Sequence, residues 1–141
     1  FPQIDFIFTY PGYDFGFRDI INKINNKKKY NNVHIFENLG QNLYHSLMFH
    51  CSFVLGNSSS GILEAPSFKK YTINLGSRQK GRVHAKSVLH ADFKKNSIKN
   101  LIKKVINMKS HGNIFKNPHE KSDSIKKTAK IIKNLLNDKQ R

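Results

Sequence analysis

The stretch whose residue types best suit chemistry lies at residues 55 to 66 and reads LGNSSSGILEAP. It places three consecutive serines between Gly56 and Gly61, directly after an apolar run. Serine hydroxyls and the free N–H groups at a helix start are donors that suit phosphate oxygens, and the glycines let the backbone come close to a bound group. Glu64 lies about one helical turn further on, where its carboxylate can accept hydrogen bonds from vicinal hydroxyls such as a ribose diol. The stretch is therefore a candidate phosphate site.

An ordinary capped helix start explains the same residues equally well. Asn57 or Ser58 can serve as the N-cap, and the interval from Ser60 to Glu64 is close to that of a capping box. Glu64 would then reach back to the helix start rather than out to a ligand. The stretch taken alone leaves both explanations open.

A second stretch, residues 74 to 87, reads NLGSRQKGRVHAKS and carries a cluster of positive charge. Arg78, Lys80 and Arg82 lie there among two glycines, just after the next predicted strand. In a parallel sheet the turns that follow neighbouring strands open at the same edge, so we expect these side chains near the serines. A guanidinium can bind phosphate oxygens through two parallel hydrogen bonds. The two stretches together favour a joint anion site.

Other fingerprints of catalytic and metal sites are missing from the sequence. Neither GxxxxGK[ST] nor GxGxxG occurs, so no standard nucleotide-binding loop is predicted. His45 and His50 are five residues apart. That interval is about 140° around a helix, so the two cannot share a face as HExxH ligands do. Cys51 has no partner cysteine, and we predict that it is a small buried residue. We predict no metal and no cofactor.

Strands and helices are predicted to alternate along the chain, as in a parallel sheet that helices cover on both faces. The predicted strands lie at 4–10, 32–36, 52–56, 71–76 and 87–91, and the run at 52–56 has the continuous apolar pattern of a strand buried on both faces. Helical spacing of apolar residues predicts helices at 17–28, around 43–48, at about 60–68, around 98–105 and around 125–136. We predict one α/β domain over residues 1–141.

The charge of the chain raises a different hypothesis. The 141 residues suffice for a domain with a buried core, and the net charge of +16 makes nucleic-acid binding the alternative. Most of the charge lies in lysine clusters mixed with Asn and Ile, at 22–32, 93–104 and 124–141. These clusters are typical of solvated helix faces, and no RNP, KH, zinc-finger or GxxG pattern accompanies them. We expect no nucleic-acid partner and keep a basic polyanion-binding module as the alternative.

The sequence also indicates where the protein works. A single cysteine fits a reducing cytoplasm better than secretion. No apolar run approaches the roughly 18 residues of a membrane helix, and the N-terminal FPQIDFIFTYPG lacks both an initiator Met and a basic leader. We expect a cytoplasmic protein without a membrane partner, whose start is cut from something longer.

Residues 54 to 82, VLGNSSSGILEAPSFKKYTINLGSRQKGR, resemble a segment of the UDP-N-acetylglucosamine 2-epimerases that reads roughly GNSSSGIxEAPSxxxPTxNxGxRQxGR. The match is to the hydrolysing branch, used in sialic and legionaminic acid synthesis. The resemblance is weaker over FTYPGYD at 8–14 and VHIFENLGQNLYHSLMFHCSFVLGN at 33–57. It implies two Rossmann-like domains in a glycosyltransferase-B arrangement, and this chain is similar to most of the C-terminal, nucleotide-binding domain.

The resemblance also implies roles for particular residues. Ser58 and Ser59 would hold the UDP phosphates, Glu64 would bind the ribose hydroxyls, and Arg78 would approach the diphosphate. The backbone around Leu39 would meet the uracil, a role that nothing in the residue pattern had indicated. The ligand would be UDP or a UDP-N-acetylhexosamine.

The reaction implied by the resemblance is elimination of UDP from the sugar and addition of water, which gives an N-acetylmannosamine-type 2-epimer and UDP. The proton-transferring carboxylates are expected in the N-terminal region, upstream of Phe1, so no catalytic residue is assigned and the chain alone is expected to be inactive. The partners left open are a homo-oligomer or a separate chain with the N-terminal domain. Gly12, where the family usually has Asn, and Lys70 with Tyr71, where it has Gly or Thr and then Pro, depart from the family pattern.

Overall fold

The computed structural model of the protein describes residues 1–108 and 112–138, in which strands and helices alternate. The strands are β1 (Phe6–Thr9), β2 (Val33–Phe36), β3 (Phe53–Gly56), β4 (Tyr71–Leu75) and β5 (Val88–Ala91). The helices are α1 (Phe17–Asn25), α2 (Gly40–His50), α3 (Ser60–Leu63), α4 (Lys95–Asn107) and α5 (Ser124–Asp138), with a 3-10 turn at Gly112–Phe115. The chain divides into two compact units, Phe1–Leu47 and Met48–Arg141.

The first unit is built on a parallel pair of strands. β1 pairs with β2, from Phe6 opposite Val33 to Thr9 opposite Phe36. The Asn32 side chain fixes the start of the unit, because its amide donates to the carbonyls of Phe1 at 3.0 Å and Ile4 at 2.7 Å. Gly16 precedes α1 with φ of 81°, a left-handed conformation that glycine adopts without strain.

The second unit contains a three-stranded parallel sheet in the order β3-β4-β5. β4 is the central strand, and its residues Tyr71 to Asn74 are buried. Successive side chains of a strand point to opposite faces, so Thr72 and Asn74 share one face and Tyr71 and Ile73 share the other. Thr72 faces α3, while the Tyr71 ring packs edge-on against Phe115 of the 3-10 turn at 5.0 Å between centroids. Helical turns therefore cover both faces of β4.

The Rossmann-like parallel α/β organisation predicted from the sequence is confirmed, and every predicted strand and helix is present. The described strands are distributed over two sheets, one of two strands and one of three. β3 is only half-buried, with Leu55 exposed by 37%, rather than buried on both faces as predicted. The reason is that β3 pairs with a neighbour on one side only among the described strands.

Helix α3 is shorter than the predicted helix at 60–68, since it ends at Leu63. Pro66 lacks the N–H that would continue the helical hydrogen bonds, so residues 65 to 69 form successive turns instead. The lysine clusters of α4 lie on its exposed side, whereas Ile102 and Val105 are buried, as an amphipathic helix requires. None of the helices in the described part of the chain has the length and apolar character of a membrane span.

Candidate functional site

The serine loop, which we define as residues 57–59, connects β3 to α3 in the second unit. The Ser58 hydroxyl accepts hydrogen bonds from the backbone N–H of Ser60 at 3.3 Å and from the Ser60 hydroxyl at 3.2 Å. Of the two residues predicted as the N-cap, Asn57 and Ser58, it is therefore Ser58 whose side chain accepts a backbone N–H at the start of α3. Ser59 is the residue before α3 by backbone conformation, and its hydroxyl makes no capping hydrogen bond.

Gly61 is explained by packing against the sheet. A methyl group at Gly61 would lie 2.7 Å from Cγ2 of Thr72, a distance that carbon atoms do not tolerate. The Thr72 hydroxyl also donates to the Gly61 carbonyl at 2.6 Å. Glycine thus lets the first turn of α3 lie directly on β4. Its predicted role of letting the backbone approach a ligand stays a prediction.

The basic loop, which we define as residues 76–86, connects β4 to β5. Gly56, the last residue of β3, lies opposite Asn74 near the end of β4 in the parallel register. The serine loop and the basic loop therefore leave the sheet at the same edge, as predicted. Arg78, Lys80 and Arg82 are exposed on the basic loop.

The two loops are joined by a buried side chain that the sequence analysis did not single out. Gln79 is only 3% exposed, and its amide Nε2 donates to the carbonyl of Asn57 at 2.8 Å. Asn57 is next to Ser58 and Gln79 is next to Arg78, so the bond holds the predicted phosphate ligands on adjoining loops. The Gln79 Oε1 is buried and accepts no hydrogen bond from the described residues. A buried acceptor without a partner costs about 1–3 kcal/mol.

A chain of hydrogen bonds lies beside these loops. The Asn74 amide donates to Nδ1 of His90 at 3.1 Å, Nε2 of His90 lies 3.2 Å from Nε2 of His84, and Nδ1 of His84 lies 3.0 Å from the Ala85 carbonyl. A carbonyl only accepts, so neutral His84 carries its proton on Nδ1 and leaves Nε2 bare. Neutral His90 must then donate from Nε2 and accept at Nδ1. The chain of donors and acceptors is complete when both histidines are neutral.

Partial burial, with the nearby His84 as a second cause, lowers the pKa of His90 below its ordinary value of 6.5. In the unfolded chain His90 titrates normally, so below about pH 6.5 the unfolded state takes up a proton that the folded state does not. The stability supplied by neutral His90 is therefore present above pH 6.5 and is lost as the pH falls through its folded-state pKa. The loss is small because His90 is exposed to screening solvent.

We predict that the melting temperature falls less between pH 7.5 and pH 5.5 for His90→Gln than for the parent protein. Glutamine cannot titrate, so the proton uptake that favours the unfolded chain at this position disappears. Thermal unfolding followed by circular dichroism at both pH values measures the two slopes. His50→Gln is the control, since it removes an exposed histidine outside the chain of hydrogen bonds. Equal slopes for parent and His90→Gln would show that His90 does not carry this pH dependence.

The remaining predicted residues lie at different places. Glu64 is half-buried at the C-terminal end of α3, where its N–H bonds to the Ser60 carbonyl at 2.9 Å. Leu39 belongs to the first unit and lies immediately before α2, where the Asn38 side chain accepts a hydrogen bond from the N–H of Gly40 at 2.7 Å. Leu39 lines an open pocket of about 780 Å³ whose other apolar walls include Tyr10, Pro11, Phe17, Ile21 and Tyr44.

Cys51 and the metal prediction can also be compared with the structure. Cys51 is half-buried rather than fully buried, and its thiol donates to the Met48 carbonyl at 3.3 Å. Burial raises the pKa of the Cys51 thiol, so it is not an activated nucleophile. Within residues 1–108 and 112–138, no three His, Cys, Asp or Glu side chains come together to hold a metal ion. The absence of a metal stays a prediction.

Comparison with known proteins identifies similar sequences. The family model described as UDP-N-acetylglucosamine 2-epimerase matches residues 1–133. The chain is 42% identical over 67 residues to GDP/UDP-N,N'-diacetylbacillosamine 2-epimerase (hydrolyzing) of Campylobacter jejuni, covering 48% of this chain and 17% of that protein. It is 38% identical over 93 residues to polysialic acid biosynthesis protein P7 of Escherichia coli, covering 62% of this chain and 23% of that protein.

A third relative is matched over more of the chain. UDP-N-acetylglucosamine 2-epimerase of Neisseria meningitidis is 29% identical over 129 residues, which is 91% of this chain and 34% of that protein. The chain therefore spans between 17% and 34% of the length of these three relatives. The match to residues 1–133 includes all of the first compact unit and most of the second.

Proposed function

Because the chain belongs to the UDP-N-acetylglucosamine 2-epimerase family, we propose that it is the UDP-binding part of a hydrolysing 2-epimerase that acts on a UDP-N-acetylhexosamine. Family membership supports the nucleotide sugar as ligand, and the name of the Campylobacter jejuni relative, a hydrolyzing 2-epimerase, supports the reaction type. The proposed ligand set is Ser58 and Ser59 for the phosphates, Glu64 for the ribose, Arg78 for the diphosphate, and the backbone around Leu39 for the uracil.

The single observation that carries the proposal is the hydrogen bond from Gln79 to the Asn57 carbonyl. It keeps a serine-rich loop and an arginine-bearing loop in contact at one edge of a parallel sheet. Hydroxyl donors and a guanidinium placed together can supply several charge-assisted hydrogen bonds to a diphosphate. The edge at the carboxyl ends of parallel strands is also where α/β proteins bind nucleotides.

The pocket beside Leu39 supports the base-binding part of the proposal. Its walls include Tyr10, Phe17 and Tyr44, and its polar lining includes Glu37 and Gln41. Aromatic and aliphatic walls with a few polar groups are typical of pockets that hold a planar ring. A nucleobase has this mixture of apolar faces and polar edges.

In the proposed reaction, UDP leaves C1 of the sugar as the C2 proton is removed, and water then adds to the unsaturated intermediate. The departing UDP carries the developing negative charge, so donors fixed around the diphosphate stabilise the transition state more than the bound substrate. We assign that stabilisation to the serine loop and Arg78. The base that removes the C2 proton is proposed to lie outside these 141 residues, and the chain alone is proposed to bind UDP without turning over the sugar.

The alternative, a basic module that binds polyanions, rests on the net charge of +16 and the exposed lysines of α4. Salt separates the two hypotheses. The affinity of a polyanion site for duplex DNA falls with a slope of about −0.9 in log–log units per neutralised phosphate. UDP carries only two phosphates and is bound through directional hydrogen bonds, so its affinity should fall much less steeply.

We expect calorimetric titration of UDP into the protein to give saturable one-to-one binding that persists as the salt concentration is raised from 50 to 300 mM. A duplex DNA of about 20 base pairs, titrated in parallel, should bind only at low salt and without sequence preference. Tight DNA binding with no heat from UDP would reject the proposal in favour of the polyanion module. Adenosine diphosphate is the control ligand, since it shares the diphosphate but not the base.

A further inference from the structure

Two buried side-chain amides, those of Gln79 and Asn117, donate to backbone carbonyls of residues 57–63, but they differ in whether their own oxygen is hydrogen-bonded. Asn117 donates to the Leu63 carbonyl at 2.8 Å and to the Ser67 hydroxyl at 2.7 Å, and its own oxygen accepts from the N–H of His119 at 3.0 Å. Both ends of the Asn117 amide are therefore used. The Gln79 side chain donates to the Asn57 carbonyl, and its buried side-chain oxygen accepts no hydrogen bond from the residues that the structure describes.

The orientation of the Gln79 amide is fixed by its one partner. The Asn57 carbonyl can only accept, so Nε2 rather than Oε1 must face it. In this orientation the side chain bonds to the serine loop through Nε2, while its oxygen is buried without a partner. Packing alone does not explain why a polar side chain occupies this position. A buried polar atom without a hydrogen-bond partner is rare in folded proteins and calls for an explanation, and a functional role is one of the known explanations.

We propose that Gln79 is a positioning residue for the diphosphate site. It sets the distance between the serine loop and Arg78 by tying Asn57, the residue before Ser58, to the basic loop. It contacts neither the phosphates nor the sugar. The inference rests on the proposed function, because the quantity that it sets is the spacing of the proposed phosphate ligands.

The main test replaces Gln79 by methionine, which has nearly the same volume and no hydrogen-bonding groups of comparable strength. Gln79→Met removes the bond to Asn57 and also removes the unused oxygen, so the melting temperature should change by no more than about 2 °C. UDP affinity, measured by calorimetry, should nevertheless fall by about three- to tenfold, because the loops lose their fixed spacing. If Gln79 had a merely structural role, Gln79→Met would lower the melting temperature clearly and leave the UDP affinity unchanged.

Asn117→Leu is the matched control. It removes a buried amide that bonds to the same segment, but at Leu63 rather than at the serine loop. Three satisfied hydrogen bonds are lost, so the melting temperature should fall clearly, while the folded protein should bind UDP as tightly as the parent does. Equal UDP affinity in Gln79→Met and the parent would overturn the proposal.

Gln79→Glu provides a second test that does not depend on the stability of the methionine variant. A carboxylate cannot donate to the Asn57 carbonyl, so UDP affinity relative to the parent should fall at pH 7.5. A protonated carboxyl group can donate, so this ratio should recover towards the parent value near pH 4.5, whereas the Asn117→Leu ratio should stay constant. A ratio for Gln79→Glu that is independent of pH would contradict the proposal.

A failure of the proposed function can be told apart from a failure of this inference. If the parent binds no UDP, the proposed function is wrong, and amide hydrogen exchange then decides about Gln79. Gln79→Met should accelerate exchange in the serine loop, and Asn117→Leu should not. If the parent binds UDP and Gln79→Met binds it with the same affinity, only the positioning role is wrong.

Discussion

Replacing Ser59 and Arg78 together by alanine is expected to weaken UDP binding by about 100-fold. A hydrogen bond to a charged group contributes about 1.5–3 kcal/mol, and each 1.4 kcal/mol is a factor of ten in affinity. Arg78 is exposed on the basic loop and the Ser59 hydroxyl caps no helix. Calorimetric titration of UDP, with the melting temperature as a check on folding, measures the loss.

The control for the charge removed is Lys99→Ala, which takes one exposed positive charge from α4. If binding is specific, this variant should keep the UDP affinity of the parent. The single variants Ser59→Ala and Arg78→Ala would show how the loss is divided, and Arg78→Lys tests whether the planar fork of the guanidinium matters beyond its charge. A double variant that still binds UDP at the parent affinity would remove the proposed phosphate site.

The largest expected effect on stability follows from Gly61. We expect Gly61→Ala to lower the free energy of unfolding by about 1–3 kcal/mol, the usual cost of overpacking a closely packed site. The new methyl group would lie 2.7 Å from Cγ2 of Thr72, on the central strand of the sheet. Urea unfolding monitored by circular dichroism measures the change in the free energy of unfolding. UDP affinity should also fall, because the serine loop leads directly into α3.

A second-site variant makes the cause specific. Thr72→Ser removes Cγ2 and keeps the hydroxyl that donates to the Gly61 carbonyl. Gly61→Ala should therefore cost much less in a Thr72→Ser background than in the parent, and the difference is a direct measure of the clash. If the two substitutions were additive, Gly61 would be needed for a reason other than its contact with Thr72.

The alternation of strands and helices could be predicted from the sequence because it depends on local patterns. The apolar runs of β4 and β5 placed those strands within one residue of their observed bounds, and the helical spacing of α4 placed that helix within three. Burial of β3 could not be predicted in the same way, since exposure of Leu55 depends on which strands pair with which. The end of α3 could have been predicted from Pro66, but the sequence analysis extended the helix to residue 68.

The candidate site could be predicted only in its residue types. Hydroxyl and guanidinium groups suit phosphate oxygens, so Ser58, Ser59 and Arg78 were predicted as ligands and stay predictions. The placement of their loops at one edge of the sheet was predicted from the parallel strand order and is confirmed. Gln79 was not found, because a glutamine among basic residues on a predicted loop looks like ordinary solvated surface. Its burial and its bond to Asn57, a residue 22 positions away, exist only in three dimensions. Leu39 came from family resemblance alone, since an aliphatic side chain gives no hint of a backbone contact.

Three side chains donate hydrogen bonds to backbone carbonyls of residues 57–63, the segment that contains the serines. Gln79 donates to Asn57, Thr72 to Gly61, and Asn117 to Leu63. All three side chains come from later parts of the chain, so tertiary contacts fix the backbone of residues 57–63 at three points. A preorganised loop loses little conformational entropy when its ligand arrives. Binding at this loop should then resemble the docking of a rigid body, and the serines should occupy the same positions with and without nucleotide.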